Sequence, residues 1–242
     1  MNVEVVDNVS TVRFDHPPVN ALDLKLLDDV VGTMRGLDGP VVLTGAGRCF
    51  SAGVDLRAVV EGGAGYTDRF MTSLSAAFLA VFDHPAPVVA AINGHAIAGG
   101  CVFAMAADVR LMAGGTIGLT ELAVGAMFPM AALEICRHAM GTSASQAALG
   151  AGTIDVATAA ALGWVEEVVA PDELLPRAIA VAHELGEYSP TAYAMTKEQL
   201  HRPARTAIDA GAETDAVVRA SWMSDETHAR IGAYLDALAR SR

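Results

Sequence analysis

Residues 91–102 read Ala91-Ile92-Asn93-Gly94-His95-Ala96-Ile97-Ala98-Gly99-Gly100-Cys101-Val102. The run Val88-Val89-Ala90-Ala91-Ile92 that leads into them is short, continuously apolar and preceded by Pro85 and Pro87, the pattern of a strand buried on both faces. Asn93-Gly94 turns the chain. Gly99-Gly100 then introduce a compact apolar helix, Cys101 to Ala107. Unpaired N–H groups and the positive end of the helix dipole at that point favour an anion, and a developing oxyanion suits it. An oxyanion needs more than one donor. Upstream, Cys49-Phe50-Ser51-Ala52-Gly53-Val54-Asp55-Leu56 follows another short buried strand, Val41-Val42-Leu43, and offers the N–H of Val54 as the second.

Outward from these two segments, strands and helices alternate. Val3 and Val5, a turn at Asp7-Asn8, and the alternation from Val9 to Asp15 read as a hairpin, ended by Pro17-Pro18. Leu22, Leu26, Leu27, Val30, Val31 and Met34 recur at helical spacing, and Gly36 with Gly39-Pro40 closes that helix. Gly62 to Gly65 read as a flexible stretch before a helix from Thr67 to Phe82. Val109 to Met112 and Thr116 to Leu119 read as strands. Beyond Pro129 the pattern is helical, apart from a strand expected over Trp164 to Ala170, with Gly163 as a helix cap. This order argues for an α/β core with a C-terminal helical appendage.

The composition narrows the partners. The chain has 242 residues, of which 52% are hydrophobic and 18% charged, enough for a large core. Its 28 acidic and 16 basic residues give a net charge of −12, which argues against nucleic acid. The apolar region from Phe78 to Ala113 is broken by Asp83, His84, Asn93, His95 and Asp108, so no membrane span is expected. The first residues lack a basic stretch followed by an apolar one, and a cytoplasmic protein is expected. Cys49, Cys101 and Cys136 form no CxxC pair, so they read as reduced packing residues, with no metal site.

Taken together, segments 49–56 and 91–101 resemble the crotonase family, the enoyl-CoA hydratase and isomerase superfamily. Pro18-Val19-Asn20-Ala21-Leu22, Ala107-Asp108 and the stretch from Ala160 to Val169 extend the resemblance over nearly the whole chain. It implies a crotonase-like spiral of ββα units with a C-terminal helical trimerisation region. The corresponding division is an acyl-CoA-binding core at residues 1–188 and an oligomerisation region at 189–242, in a homotrimer or hexamer. The implied substrate is a coenzyme A thioester, with no tightly bound cofactor. The N–H groups of Val54 and Gly99 would hold the thioester oxygen, and Ala52, Asp55, Leu56 and Gly100 would lie against the coenzyme.

The acid–base residues set the expected reaction. Hydratases of this family carry Glu after Gly-Gly-Cys, where this chain has Val102, and valine moves no proton. The second family carboxylate matches Glu121, with a one-residue gap after Asp108. Adding water to an enoyl thioester divides most simply between two carboxylates, whereas shifting its double bond needs one. Isomerisation with Glu121 as proton shuttle is therefore expected, and residues 117–129 also resemble the mitochondrial enoyl-CoA isomerase type. The alternatives are a hydratase that recruits Glu134, and a non-catalytic acyl-CoA binder. His95 and Asp108 read as packing or hydrogen-bonding residues. Arg13, Lys25, Arg48, Arg57, Arg69, Lys197 and Arg202 are candidates for the coenzyme phosphates. Tyr66, Phe70, Met71 and Leu74, with Met127 and Phe128, are candidates for an acyl tunnel.

Overall fold

A computed structural model describes residues 1–240 of the protein. Asp7 and Asn8 both take positive φ, 49° and 61°. This two-residue turn matches strand twist, and it joins β1 (Asn2–Val6) to β2 (Val9–Phe14) as an antiparallel hairpin. Asp23 caps α1 (Leu24–Arg35) by accepting the Leu26 N–H at 2.8 Å. The helix buries Leu26, Leu27, Val30 and Met34, the stripe that its 3.6-residue period aligns.

Three units then repeat one plan. The first is β3 (Val41–Gly45), β4 (Cys49–Ser51) and α2 (Leu56–Phe82). The second is β5 (Val88–Ile92), β6 (His95–Ile97) and α3 (Gly99–Met105). The third is β7 (Val109–Met112), β8 (Thr116–Gly118), a 3-10 turn at Glu121–Val124 and α4 (Met130–Met140). In each unit the first strand joins one sheet and the second strand joins another. After α5 (Ala144–Gly150), β9 (Thr153–Asp155) and α6 (Val156–Ala161), β10 (Glu167–Val168) completes the larger sheet. The orders are β1-β2-β3-β5-β7-β10 and β4-β6-β8-β9. This is the expected spiral of ββα units.

Period-two alternation in the large sheet supplies two cores. Val12, Leu43, Ala90 and Ile92 face the main core under α1, α2 and α3. Val9, Val42, Val89, Ala91 and Leu111 face the opposite way, against Leu174, Ala178 and Ala182 of α7 (Leu174–Gly186). Three helices follow, α8 (Pro190–Ala210), α9 (Ala212–Trp222) and α10 (Asp225–Arg240). Val218, Trp222 and Ile231 of the last two return to the main core, alongside Phe70 and Leu74 of α2.

Several expectations change. Residues 49–51 and 95–97 are strands of the second sheet, not loops; at three residues each they are too short to show alternation. The strand expected over Trp164 to Ala170 shrinks to Glu167–Val168, because Trp164 and Val165 pack into the main core. β9 was not expected. α3 begins at Gly99 and ends at Met105, earlier than the sequence implied. α2 starts at Leu56 and runs through the glycine-rich stretch, broken only at Gly63, where φ is 65°. The 188/189 boundary falls between α7 and α8, and residues 241 and 242 of the second region lie outside the described residues. Among the described residues no helix is long and apolar enough to cross a membrane.

Candidate active site

The Leu22 N–H donates to Gly53 C=O at 2.8 Å, and Leu22 C=O accepts the Asp55 N–H at 2.9 Å. Leu22 and Val54 thus form a parallel bridge. In this arrangement the residue between the two bonded groups points its own N–H the other way. Gly53 has φ 81°, and a β-carbon there would lie 2.6 Å from Ile97 O and 3.2 Å from Gly99 N. The loop before α2 therefore lies directly against the turn before α3. That turn is sharp: Ala98 has φ 51° and ψ −120°, its N–H donates to Gly118 C=O at 2.8 Å, and its C=O accepts the Val102 N–H at 3.0 Å. Gly99 opens the helix, so its N–H has no acceptor one turn back. Neither the Val54 nor the Gly99 N–H donates to another backbone group among the described residues. Gly100 is compelled by space, since a β-carbon there would lie 2.3 Å from Ser51 O.

Asn20 stabilises this junction. Its Nδ2 donates to Ala46 O at 3.0 Å and Cys49 O at 2.7 Å, and its C=O accepts from Ser51 Oγ at 2.7 Å. Ser51 Oγ in turn accepts the Gly53 N–H at 3.2 Å. The sequence contained a signal for this role, a lone amide between Val19 and Ala21 in a motif shared with the family, but its reading assigned Asn20 none. Asp55 Oδ1 accepts the Ala58 N–H at 3.0 Å and caps α2, and the Ala52 N–H donates to Val19 O at 3.0 Å. Leu56 is partly buried at the start of that helix.

Glu121 sits at the first residue of the 3-10 turn. Some of the residue reaches solvent, but Oε2 is sealed off and has no hydrogen-bond partner. Burial pushes this carboxyl from 4.5 up to about 7, opposed in part by the backbone N–H groups of Glu121 and Thr120. The carboxyl lies within electrostatic reach of Cys101 on α3 and Cys136 on α4, whose thiols burial pushes up. Val102, on the first turn of α3, is fully buried among apolar side chains. Glu134 is paired with Arg137 on its own helix at 3.1 Å.

The remaining candidates separate. His95 is exposed; its Nδ1 lies 3.0 Å from Thr116 Oγ1, and it lines a cavity of about 780 Å³ with Arg48 and Gly115, away from Glu121. Asp108 and Lys197 form a buried ion pair at 2.8 Å, so Lys197 is not free to reach a phosphate. Lys25 is paired with Asp29 at 2.6 Å, and Arg13 reaches Gly45 O at 3.5 Å. Arg48, Arg57, Arg69 and Arg202 are exposed and form no ion pair among the described residues. Phe70, Met71 and Leu74 belong to the packed core; Tyr66 and Phe128 are partly buried, and Met127 is exposed.

The sequence model of the family described as enoyl-CoA hydratase/isomerase matches residues 4–237. This chain belongs to the enoyl-CoA hydratase/isomerase family. It is 37% identical over 164 residues to a putative enoyl-CoA hydratase of Thermus thermophilus, a match taking in 66% of this chain and 65%, just under two thirds, of that one. It is 26% identical over 245 residues to the mitochondrial enoyl-CoA delta isomerase 1 of Rattus norvegicus, covering 97% and 85% of the two chains. Its fold superimposes on the crystal structure of human mitochondrial delta3-delta2-enoyl-CoA isomerase with a TM-score of 0.93, at 24% identity and over 100% and 98% of the chains. At that identity the likeness concerns the fold. The α/β crotonase fold with C-terminal helices, expected from the sequence, is thereby borne out. The members of the enoyl-CoA hydratase/isomerase family that resemble this chain carry both reaction names, so the choice of reaction falls to the side chains.

Proposed function

We propose that this protein is an enoyl-CoA isomerase that moves a double bond from C3 to C2 of a coenzyme A thioester, with Glu121 as its single proton carrier. The observation that carries this reading is the Glu121 carboxyl, whose Oε2 is buried without a hydrogen-bond partner and which is poised at about 7, with apolar Val102 where a hydratase of the family has its other acid. Glu134, the alternative acid, is held by Arg137. A carboxyl near neutrality can both accept and release a proton at working pH.

In this reading ionised Glu121 takes a proton from C2, and the C–H electron pair passes into the thioester. The N–H groups of Val54 and Gly99 hold the charge on oxygen. Glu121 returns the same proton at C4 as the C3–C4 double bond becomes C2–C3, so nothing is gained or lost. The coenzyme would lie along Ala52, Asp55, Leu56 and Gly100, its phosphates near the exposed Arg48, Arg57 or Arg69, and no tightly bound cofactor takes part. Exposed Met195, Leu200 and Val217 on the C-terminal helices support assembly as a homotrimer or hexamer. Three free thiols suit a reducing compartment such as the cytoplasm.

The test is a panel of 3-enoyl and 2-enoyl thioesters, read by the ultraviolet absorbance of the conjugated 2-enoyl thioester for a shifted double bond and by mass spectrometry for added water. A shifted double bond that vanishes in Glu121→Gln supports the isomerase. Added water as the main product would make it a hydratase, and tight binding without turnover a non-catalytic binder.

A further inference from the structure

Helix α4 starts without a cap of its own, because its N-cap residue is Pro129. Its first amide, Met130 N–H, donates instead to Asp215 Oδ1 of α9 at 2.8 Å, 85 residues along the chain. Three residues earlier, Met127 C=O accepts from the Trp222 indole N–H at 2.8 Å, and that ring is buried. At Gly125, with φ 74°, a β-carbon would lie 2.9 Å from Arg230 Cδ of α10. Residues 125–130 are thus gripped from above by the last helices. The constraint passes directly to the glutamate, since the Ala126 N–H donates to Glu121 C=O at 3.0 Å.

We propose that Asp215 and Trp222 are positioning residues for Glu121: through the backbone at Met130 and Met127 they hold the glutamate turn closed over its carboxyl. Loosening either bond admits water to Oε2, which now has neither solvent nor a hydrogen-bond partner. Hydration favours the ionised form of a buried acid, so the carboxyl returns toward its ordinary range. The elements packed on the turn carry other ionisable groups, among them His228 of α10, whose Nε2 is buried without a hydrogen-bond partner. Cys101 of α3 and Cys136 of α4 are thiols pushed up by burial. Arg230 of α10 is paired with Glu226 at 3.0 Å, and Arg219 of α9 with Asp68 of α2 at 3.4 Å. α5, which also packs on the turn, carries no titratable side chain.

The kinetic part of the test rests on the isomerase reading; the titration part does not. In protein labelled with ¹³C-glutamate, Glu121→Gln identifies the Glu121 carboxyl resonance. Its midpoint in the parent is expected at about 7, and in Asp215→Ala and Trp222→Phe at least roughly one pH unit lower. With a 3-enoyl-CoA, kcat should fall by about tenfold or more while KM stays within about threefold. Asp215→Asn, which keeps an acceptor oxygen, should restore both the midpoint and kcat. An unmoved midpoint in folded Asp215→Ala, or Asp215→Asn as impaired as Asp215→Ala, would overturn the proposal whatever the fall in rate. Should Trp222→Phe not fold, the Asp215 pair decides. A shifted midpoint in a protein that turns over no enoyl thioester would uphold the positioning role and remove the isomerase reading alone.

Discussion

Lys197 on α8 and Asp108 ahead of β7 meet at 2.8 Å, 89 residues apart, and the same Asp108 oxygen accepts the Val88 N–H at 2.8 Å. Burial, and then the nearby Asp108 carboxylate, push the Tyr193 hydroxyl up. One carboxylate therefore ties the start of β5 to α8, and burial lowers the Lys197 pKa against the pull of Asp108. Removing one partner of a buried pair leaves the other charge uncompensated. Lys197→Met should lose about 3–5 kcal/mol in urea denaturation without changing KM for a coenzyme A thioester. A raised KM at unchanged stability would make Lys197 a phosphate ligand.

Glu121→Gln should show a trade between stability and activity. Turnover should fall by roughly 10²–10⁴-fold, the range for loss of a general base. The folded carboxyl titrates at about 7 against 4.5, so between those values the folded state holds more protons than the unfolded state. Stability then falls as pH rises through that window, by up to about 3 kcal/mol. Glutamine carries no such charge. Its melting temperature should exceed the parent's at pH 8 and match it at pH 4.5, and equal melting at both would contradict a buried ionised carboxyl.

The same titration should appear in the kinetics. kcat/KM for a 3-enoyl-CoA should rise with pH along a limb with an apparent pKa of about 7, since the base must be ionised in the free enzyme. Affinity for a saturated acyl-CoA, which needs no base, should be flat over that range by calorimetry. A kinetic limb near 4.5 would place the working carboxyl in water.

Gly53→Ala tests the junction of the two loops. The β-carbon would lie 2.6 Å from the backbone oxygen of Ile97 at a φ of 81°, so the loops must part, and with them the N–H groups of Val54 and Gly99 proposed to hold the thioester oxygen. Loss of one oxyanion donor costs about 10²–10³ in kcat, and a fall of that order is expected in steady-state assays. A variant with parental kcat would mean that the junction tolerates separation, or that the donors lie elsewhere.

How much was legible in the sequence follows from how far each signal reaches. Val88 to Ile92 is a strand where its apolar run predicts it, because a strand buried on both faces declares itself locally, and the strand expected over Val109 to Met112 forms there too. β4 and β6 were hidden: their residues read equally as glycine-flanked loop until the second sheet pairs them. Val54 and Gly99 were named through the family resemblance; the small residues around them mark a close backbone approach, and Gly53 does lie against Ile97 and Gly99. Lys197 was misjudged because its partner lies 89 positions away. The Asp215 cap on α4 was missed for the same reason, as nothing near Pro129 points to a carboxylate 85 residues on.

The grip of α9 and α10 on residues 125–130 also sets an order of events during synthesis. A nascent chain that has emerged only as far as α8 possesses every strand, but not the side chains of α9 that bond to residues 127 and 130. Under the proposed positioning role, the glutamate turn would be fixed last, after the final helices leave the ribosome and dock. A chain that stops short of Asp215 would also lack Val218, Trp222 and Ile231, which pack into the main core, so core packing and the bonds that fix the glutamate turn are completed by the same helices.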